Sequence, residues 1–186
     1  SDLGSVNWLP VCPDAHGFVV NCDLFAQYDI PLPNDYAGFV AACKAFEEVG
    51  IRGYTADYLY DYTCMETLQG LSAAELMTTD GRKWRTAYSD PANNNRVGLD
   101  NTVWPGGFER MEQFIQDTGL TAADLELGYN AVVEMFGNGQ LAMYFGSSAG
   151  VKMFQEQGID ATFLPFFSPN GEKWLMTTPY FQVALN

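Results

Sequence analysis

A short apolar segment flanked by small residues is the feature that most limits how this chain can fold. Residues 140–145 read QLAMYF; they follow GNG at 137–139 and precede GSSAG at 146–150. Gly and Asn tolerate the left-handed backbone that ends a helix. A brief, almost continuously apolar run is typical of a strand inside a sheet. The segment therefore predicts a helix end, an interior strand and a tight loop in succession.

The loop after this strand allows two interpretations. Residues 151–158, VKMFQEQG, predict a helix. A strand, a small-residue loop and a helix together can present free backbone N–H groups to a ligand, and Ser147 and Ser148 would add hydroxyl donors. A plain tight turn with a serine cap has the same spacing, and the spacing alone favours it.

The remaining patterns predict an α/β domain of mostly helices around a small mixed sheet. Prolines and glycines divide short β-rich runs from helical stripes with capping residues. Residues 13–15 (PDA) predict a turn between two strands, and residues 80–102 predict a loop-rich region. Ser72 and Glu75 are spaced as a capping box, and Thr121 is a predicted helix cap. Strands are predicted at residues 6–12, 16–22, 159–167 and 180–185, and helices at 36–49, 55–68, 70–81, 107–119 and 121–136.

Composition excludes several classes of function. The net charge of -14 comes from 9 basic and 23 acidic residues, so the chain repels nucleic acid and anionic lipid. The length of 186 residues suits a single domain, and no apolar stretch approaches the roughly 20 residues that span a bilayer.

The cysteines point to thiols rather than to a metal site. Cys12, Cys22, Cys43 and Cys64 form no Cys-x-x-Cys pair, and the chain has one histidine, so we expect no metal. Three pairings into two disulfides are possible, but buried free cysteines are the favoured interpretation.

Motifs for catalysis are scarce, whereas aromatic residues near turns are frequent. The sequence has no nucleophile elbow, phosphate loop or dinucleotide fingerprint. Two alternatives stay open: a carbohydrate-active enzyme that uses paired carboxylates, and a surface domain whose tyrosine-rich stretch binds protein. Loop aromatics also suit stacking on sugar rings, although ordinary packing explains most of them; they are Trp8, Tyr58, Tyr60, Tyr62, Trp84, Trp104, Trp174, Tyr180 and Phe181.

Four segments, in order, resemble the extracellular solute-binding proteins (family 1) of bacterial ABC sugar importers. Together they cover about 170 residues, and each motif taken alone has low specificity. They read VNWLPVCPDAHGFVVNCDLFAQYDIPLP, DYAGFVAACKAFEEVGI, FGNGQLAMYFGSSAG and GIDATFLPFFSPNGEK.

The resemblance implies the second lobe of a type II periplasmic-binding-protein fold. Residues 1–186 would form one domain, with 1–20 and 176–186 near the hinge and the first lobe absent. The final residues read as an interrupted strand, so we expect a piece of a longer protein. The implied function is capture of a carbohydrate, without catalysis or cofactor, for delivery to ABC permease subunits. The protein would be a monomer outside the cell. The full-length protein would either be lipid-anchored at the cell surface or lie in the periplasm.

The resemblance also implies which side chains contact the sugar. Asp14 and His16 match the turn at the cleft and would bond hydroxyls, as would Ser147 and Ser148. Many members have Trp after the Gly-Ser turn, where this chain continues Ser-Ala, and Gly-Gly-rich residues near the end, where it reads TTPYFQVALN. Trp104 and Tyr180 are therefore predicted to supply the stacking surface.

Overall fold

The fold is built from short helices and strands, in a computed structural model that describes residues 9–90, 92 and 104–183. The strands are β1 (Leu9–Asn21), β2 (Arg52–Thr55), β3 (Leu141–Ser147), β4 (Ala161–Leu164), β5 (Phe166–Phe167), β6 (Lys173–Trp174) and β7 (Met176–Val183). The helices are α1 (Cys22–Gln27), α2 (Tyr36–Glu48), α3 (Asp61–Leu71), α4 (Ala73–Leu76), α5 (Thr79–Ser89), α6 (Trp104–Thr118), α7 (Tyr129–Gly137) and α8 (Ala149–Gln155), with a 3-10 helix at Ala122–Glu126.

The predicted interior strand is confirmed as β3. It lies between β2, to which it is parallel, and β1, to which it is antiparallel. The helix before it ends as predicted, with Gly139 in the left-handed region at φ 70°. Both faces of the sheet carry helices, so the side chains from Leu141 to Phe145 are buried.

The core lies on both faces of the sheet because side chains of a strand alternate. On one face, Phe18 and Val20 of β1 pack among buried side chains of α2 and α6. On the other face, Val19 packs with Phe136 of α7 and Phe154 of α8. The fold class, a mostly helical lobe around a small mixed sheet, is therefore as predicted.

The predicted turn at residues 13–15 is wrong. β1 runs unbroken for 13 residues, pairing first with β7 and then with β3 and β4. Register shifts on either side of Cys12 let the strand carry Pro10 and Pro13 without ending.

Other element boundaries also differ from the predictions. The capping box at Ser72 is wrong, because the Ser72 hydroxyl is buried without a partner in the described part of the chain and Glu75 pairs with Arg110. The predicted helix after Thr121 divides into the 3-10 helix and α7, although a capping box between Thr121 and Asp124 is present. α5 replaces the first part of the predicted loop at 80–102, most of whose remainder lies outside the described residues.

The described thiols and acidic groups form no cluster that could hold a metal ion. Cys22, Cys43 and Cys64 are free, and burial raises the pKa of Cys43 to about 12; the side chain of Cys12 is not among those described. Within residues 9–90, 92 and 104–183, no three His, Cys, Asp or Glu side chains are grouped to hold a metal ion. In the same ranges, no helix has the length and apolar character needed to cross a membrane.

Candidate functional site

Two adjoining cavities open at the surface of the molecule, and His16 and Glu66 line both of them. The first, about 730 Å³, is called the polar cavity. It is lined by Asp14, His16, Asp57, Tyr62, Thr63, Glu66, Tyr129, Val132, Tyr144, Phe145, Gly146, Ser147, Ser148, Ala149, Gly150, Lys152 and Met153. The second, about 760 Å³, is called the aromatic cavity. It is lined by His16, Met65, Glu66, Leu68, Gln69, Ala73, Leu76, Met77, Trp84, Arg85, Tyr88, Trp104, Phe108, Trp174, Leu175, Met176 and Thr177.

The polar cavity lies where two parallel strands end. β2 and β3 are parallel, and their carboxyl ends lead to Asp57 and to Ser147, respectively. This edge of a sheet is where α/β folds place ligands. β1 completes the wall because His16 is the register partner of Ser147.

Asp14 is the centre of a hydrogen-bond network. It is 7% exposed and accepts the Ser147 hydroxyl at 2.6 Å and the Ser148 hydroxyl at 2.8 Å. Burial by itself would raise the pKa of Asp14, but these two hydrogen bonds and the nearby His16 ring outweigh it and lower that pKa. The carboxyl group therefore stays ionised at neutral pH.

The loop after β3 has the geometry of the tight turn. The N–H of Ser148 donates to the Ala15 carbonyl at 2.7 Å, and the N–H of Ala149 donates to the Ser147 hydroxyl at 3.0 Å. These two N–H groups are thus already occupied, so they do not point freely at a ligand. The serine hydroxyls orient Asp14 instead.

The small residues of this loop make room for one large side chain. A Cβ atom at Gly150 would lie 2.5 Å from the Tyr144 hydroxyl, and a Cβ at Gly146 would overlap the Tyr144 ring. Because Tyr144 occupies this space, positions 146 and 150 must lack a side chain. This explains why glycine follows the apolar run of β3.

His16 and Glu66 form the junction of the two cavities. The Nδ1 atom of His16 lies 2.9 Å from Oε2 of Glu66, and its Nε2 atom lies 3.8 Å from Oδ2 of Asp14. The hydrogen bond to Glu66 raises the pKa of His16; burial opposes this, but the two carboxylates add to it. The imidazole is therefore held in its protonated form more strongly than a free histidine.

This pair predicts a pH-dependent stability. Because the pKa of His16 is raised in the fold, the stabilisation is complete below 6.5 and is lost as pH rises through the folded pKa. We expect Glu66→Gln to lower the melting temperature by about 2–4 °C at acidic pH, and by less at alkaline pH. Thermal unfolding over this range measures it.

A matched substitution tests the assignment. Glu48→Gln, on the exposed surface of α2, removes the same charge without a contact to His16 and should give a small, pH-independent change. A constant difference between the native chain and Glu66→Gln from acid to alkaline pH would contradict the prediction.

Asp57 and Tyr144 also line the polar cavity. Asp57 accepts the Thr63 hydroxyl at 2.8 Å and the Tyr62 hydroxyl at 3.1 Å. Tyr144 is 3% exposed, and its hydroxyl has no hydrogen-bond partner among the described residues. Burial raises the pKa of Tyr144, so this hydroxyl keeps its proton.

The aromatic cavity is built from α5, α6 and β6. Trp84 stacks on Tyr88 with ring centroids 4.9 Å apart and meets Trp104 edge to face at 5.6 Å. Trp174 of β6 lies on the same cavity, half-buried, with its indole N–H donating to Glu172. Three of the four tryptophans of the chain therefore line one cavity.

The structure brings most of the predicted site residues together. Asp14, His16, Ser147 and Ser148 line the polar cavity, and Trp104 lines the aromatic cavity although it is only 8% exposed. Tyr180 lies on β7, but its side chain is not described.

Sequence reasoning missed Asp57, Glu66 and Tyr144. Asp57 follows β2, a strand that was not predicted, so the rule for parallel strand ends could not be applied to it. Glu66 lies on α3, 50 positions from its partner His16, and no local signal connects them.

Solved structures with the same fold include proteins named as solute-binding proteins or sugar transporters. Apo RafE from Streptococcus pneumoniae is 16% identical over 95% of this chain, with a TM-score of 0.68. A sugar transporter from Bacillus licheniformis in complex with stachyose is 13% identical over the whole chain, with a TM-score of 0.70. A probable secreted solute-binding lipoprotein from Streptomyces coelicolor is 15% identical over 98%, with a TM-score of 0.74. A further RafE structure is a complex with raffinose.

These similarities establish the fold, and they span only part of each relative. The chain covers 45%, 48% and 45% of those three structures, respectively, which is less than half their length. Neither a protein-family model nor a curated protein sequence matches the chain. The resemblance predicted from the sequence is therefore confirmed at the level of the fold.

Proposed function

We propose that this chain is the second lobe of an extracellular solute-binding protein that captures a carbohydrate for an ABC importer. The observation that carries the proposal is the pairing of the two cavities. A surface rich in Trp and Tyr adjoins a cavity of carboxylates and hydroxyls, and His16 and Glu66 belong to both. A sugar needs this combination, because its ring faces are apolar and its rim consists of hydroxyls.

The same geometry favours binding over catalysis. A glycosidase needs one acid that is protonated near neutral pH beside one that is ionised. The serine hydroxyls and the His16 ring lower the pKa of Asp14 and keep it ionised, so this carboxyl group does not supply a proton near neutral pH. Three of the structural relatives are binding proteins by name, which accords with capture and delivery.

The path of the chain supports the proposed hinge position. β1 and β7 run side by side, and Leu9 is the register partner of Val183. The described chain therefore enters and leaves the lobe at neighbouring points, as two adjacent crossings to another lobe require. We propose that residues 1–20 and 176–186 lie at this hinge. A monomer that meets permease subunits at the cell surface or in the periplasm completes the proposal.

Tryptophan fluorescence provides the direct test. Because three of the four tryptophans line the aromatic cavity, sugar stacking should change the emission of the native chain. Trp174→Leu should weaken binding about fivefold, since one aromatic contact contributes roughly 1 kcal/mol. Raffinose, stachyose and chitin oligosaccharides, raised to high millimolar concentration, are suitable ligands.

A second aromatic residue serves as the control. Tyr28 is partly exposed, contacts Phe46 and lines neither cavity, so Tyr28→Leu should leave sugar binding unchanged. Equal loss in both variants, or no response to any sugar in the native chain, would refute the carbohydrate-binding role of the aromatic cavity.

A further inference from the structure

Carboxylates dominate the charge of the polar cavity. Asp14, Asp57 and Glu66 line it, and the basic residues among its lining are His16 and Lys152. His16 is already bonded to Glu66. The Lys152 side chain is 82% exposed and lies 3.8 Å from Glu156, so it does little to neutralise the interior.

The Tyr144 hydroxyl independently indicates a ligand position. This side chain is 97% buried, yet its hydroxyl has no partner among the described residues. It meets Gly150, which lines the cavity, so the hydroxyl is directed to that wall. The hydroxyl is not one of the fully enclosed unpartnered polar atoms, so it is open to the cavity and free to bond a ligand there.

The hydroxyl donors of the cavity are largely used by the protein itself. Ser147 and Ser148 donate to Asp14, and Tyr62 and Thr63 donate to Asp57. What remains for a ligand is mainly carboxylate oxygen, which only accepts hydrogen bonds. A ligand must therefore bring donors, and a ligand with its own anionic group would meet like charge.

We propose that the polar cavity selects carbohydrates that carry an ammonium group and excludes those that carry a carboxylate, sulfate or phosphate. This inference rests on the proposed function and names the substrate class of that site. An ammonium group offers three donors and a positive charge to Asp14, Asp57 and Glu66. A neutral sugar offers hydroxyl donors alone, so its affinity should lie between those of the amino sugar and the anionic sugar.

Matched monosaccharides test the order. The native 186-residue chain is titrated by NMR with glucosamine, glucose and glucuronate, and with galactosamine, galactose and galacturonate, so that only the charged group changes within a series. In at least one series, we expect the amine to bind about fivefold or more tightly than the neutral sugar, and the uronate about tenfold or more weakly. Added salt should reduce both differences in affinity.

Substitutions locate the selection. Asp57→Asn and Glu66→Gln should reduce the preference for the amine. Tyr144→Phe should instead weaken the binding of the neutral and the amino sugars to a similar extent. Glu48→Gln and Tyr28→Phe remove the same groups outside both cavities and should leave the order intact. The NMR spectrum of each variant shows whether it keeps the native fold.

The outcomes separate the inference from the proposed function. If the amine, the neutral sugar and the uronate bind equally, or the uronate or neutral sugar binds best, the selection is refuted while the carbohydrate receptor stands. An amine preference that survives both Asp57→Asn and Glu66→Gln also refutes it, because the cavity would not be its source. Binding of none of the six sugars would refute the carbohydrate receptor, and the inference with it.

Discussion

The 186-residue chain is expected to bind oligosaccharides only at millimolar concentration or weaker, and joining it to the proposed first lobe should tighten binding about a thousandfold. In a two-lobed receptor the ligand is enclosed from both sides, whereas both cavities here are open to solvent. A hydrogen bond that stays open to water gains only about 0.5–1.5 kcal/mol. Loss of the opposite wall also removes its stacking contacts, and a total loss of about 4 kcal/mol gives the thousandfold factor.

Calorimetry on the isolated chain and on the longer protein, with the same mono- and oligosaccharides, measures this difference. In the longer protein Trp104→Ala should weaken binding, because Trp104 lines the aromatic cavity. Tyr28→Leu is the control there as well. Micromolar binding by the isolated chain would show that the site is complete within it, and that the proposed division into lobes is wrong.

Replacing Phe18 with alanine should destabilise the fold by about 3–5 kcal/mol. Phe18 has no exposed surface and lies at the centre of the sheet, between β3 and β4. Its ring stacks on Phe39 at 4.6 Å and on Phe166 at 4.9 Å, and meets Tyr54 edge to face. The substitution would leave a cavity that strands on both sides keep from collapsing.

Urea unfolding of the native chain and of Phe18→Ala measures the loss. Phe108→Ala provides the matched comparison, because Phe108 is the same residue type with 47% of its surface exposed. It should cost well under half as much. A loss below about 1 kcal/mol for Phe18→Ala would contradict the packing of this core.

Local signals in the sequence were sufficient for several elements. The run at 140–145 predicts β3 because a strand apolar on both faces must be buried, and Gly139 ends the preceding helix because its left-handed backbone suits glycine. The stripe of apolar residues likewise predicts α2, which Asp35 caps in the structure. These features depend on neighbouring residues, so they can be read without knowledge of the fold.

The resemblance named Asp14, His16, Ser147 and Ser148, but only the tertiary structure decided how they meet and which other side chains join them. Asp14 meets Ser147 across 133 positions, and Glu66 meets His16 across 50, so no local pattern connects them. Pairing with β7 turned the expected turn at residues 13–15 into continuous strand, and the parallel pairing of β2 with β3 brought Asp57 to the same edge as the serines. The sequence by itself determined the elements that short-range conformational preferences encode. Long-range strand pairing decided which acids share a cavity, because that depends on the packing of the whole sheet.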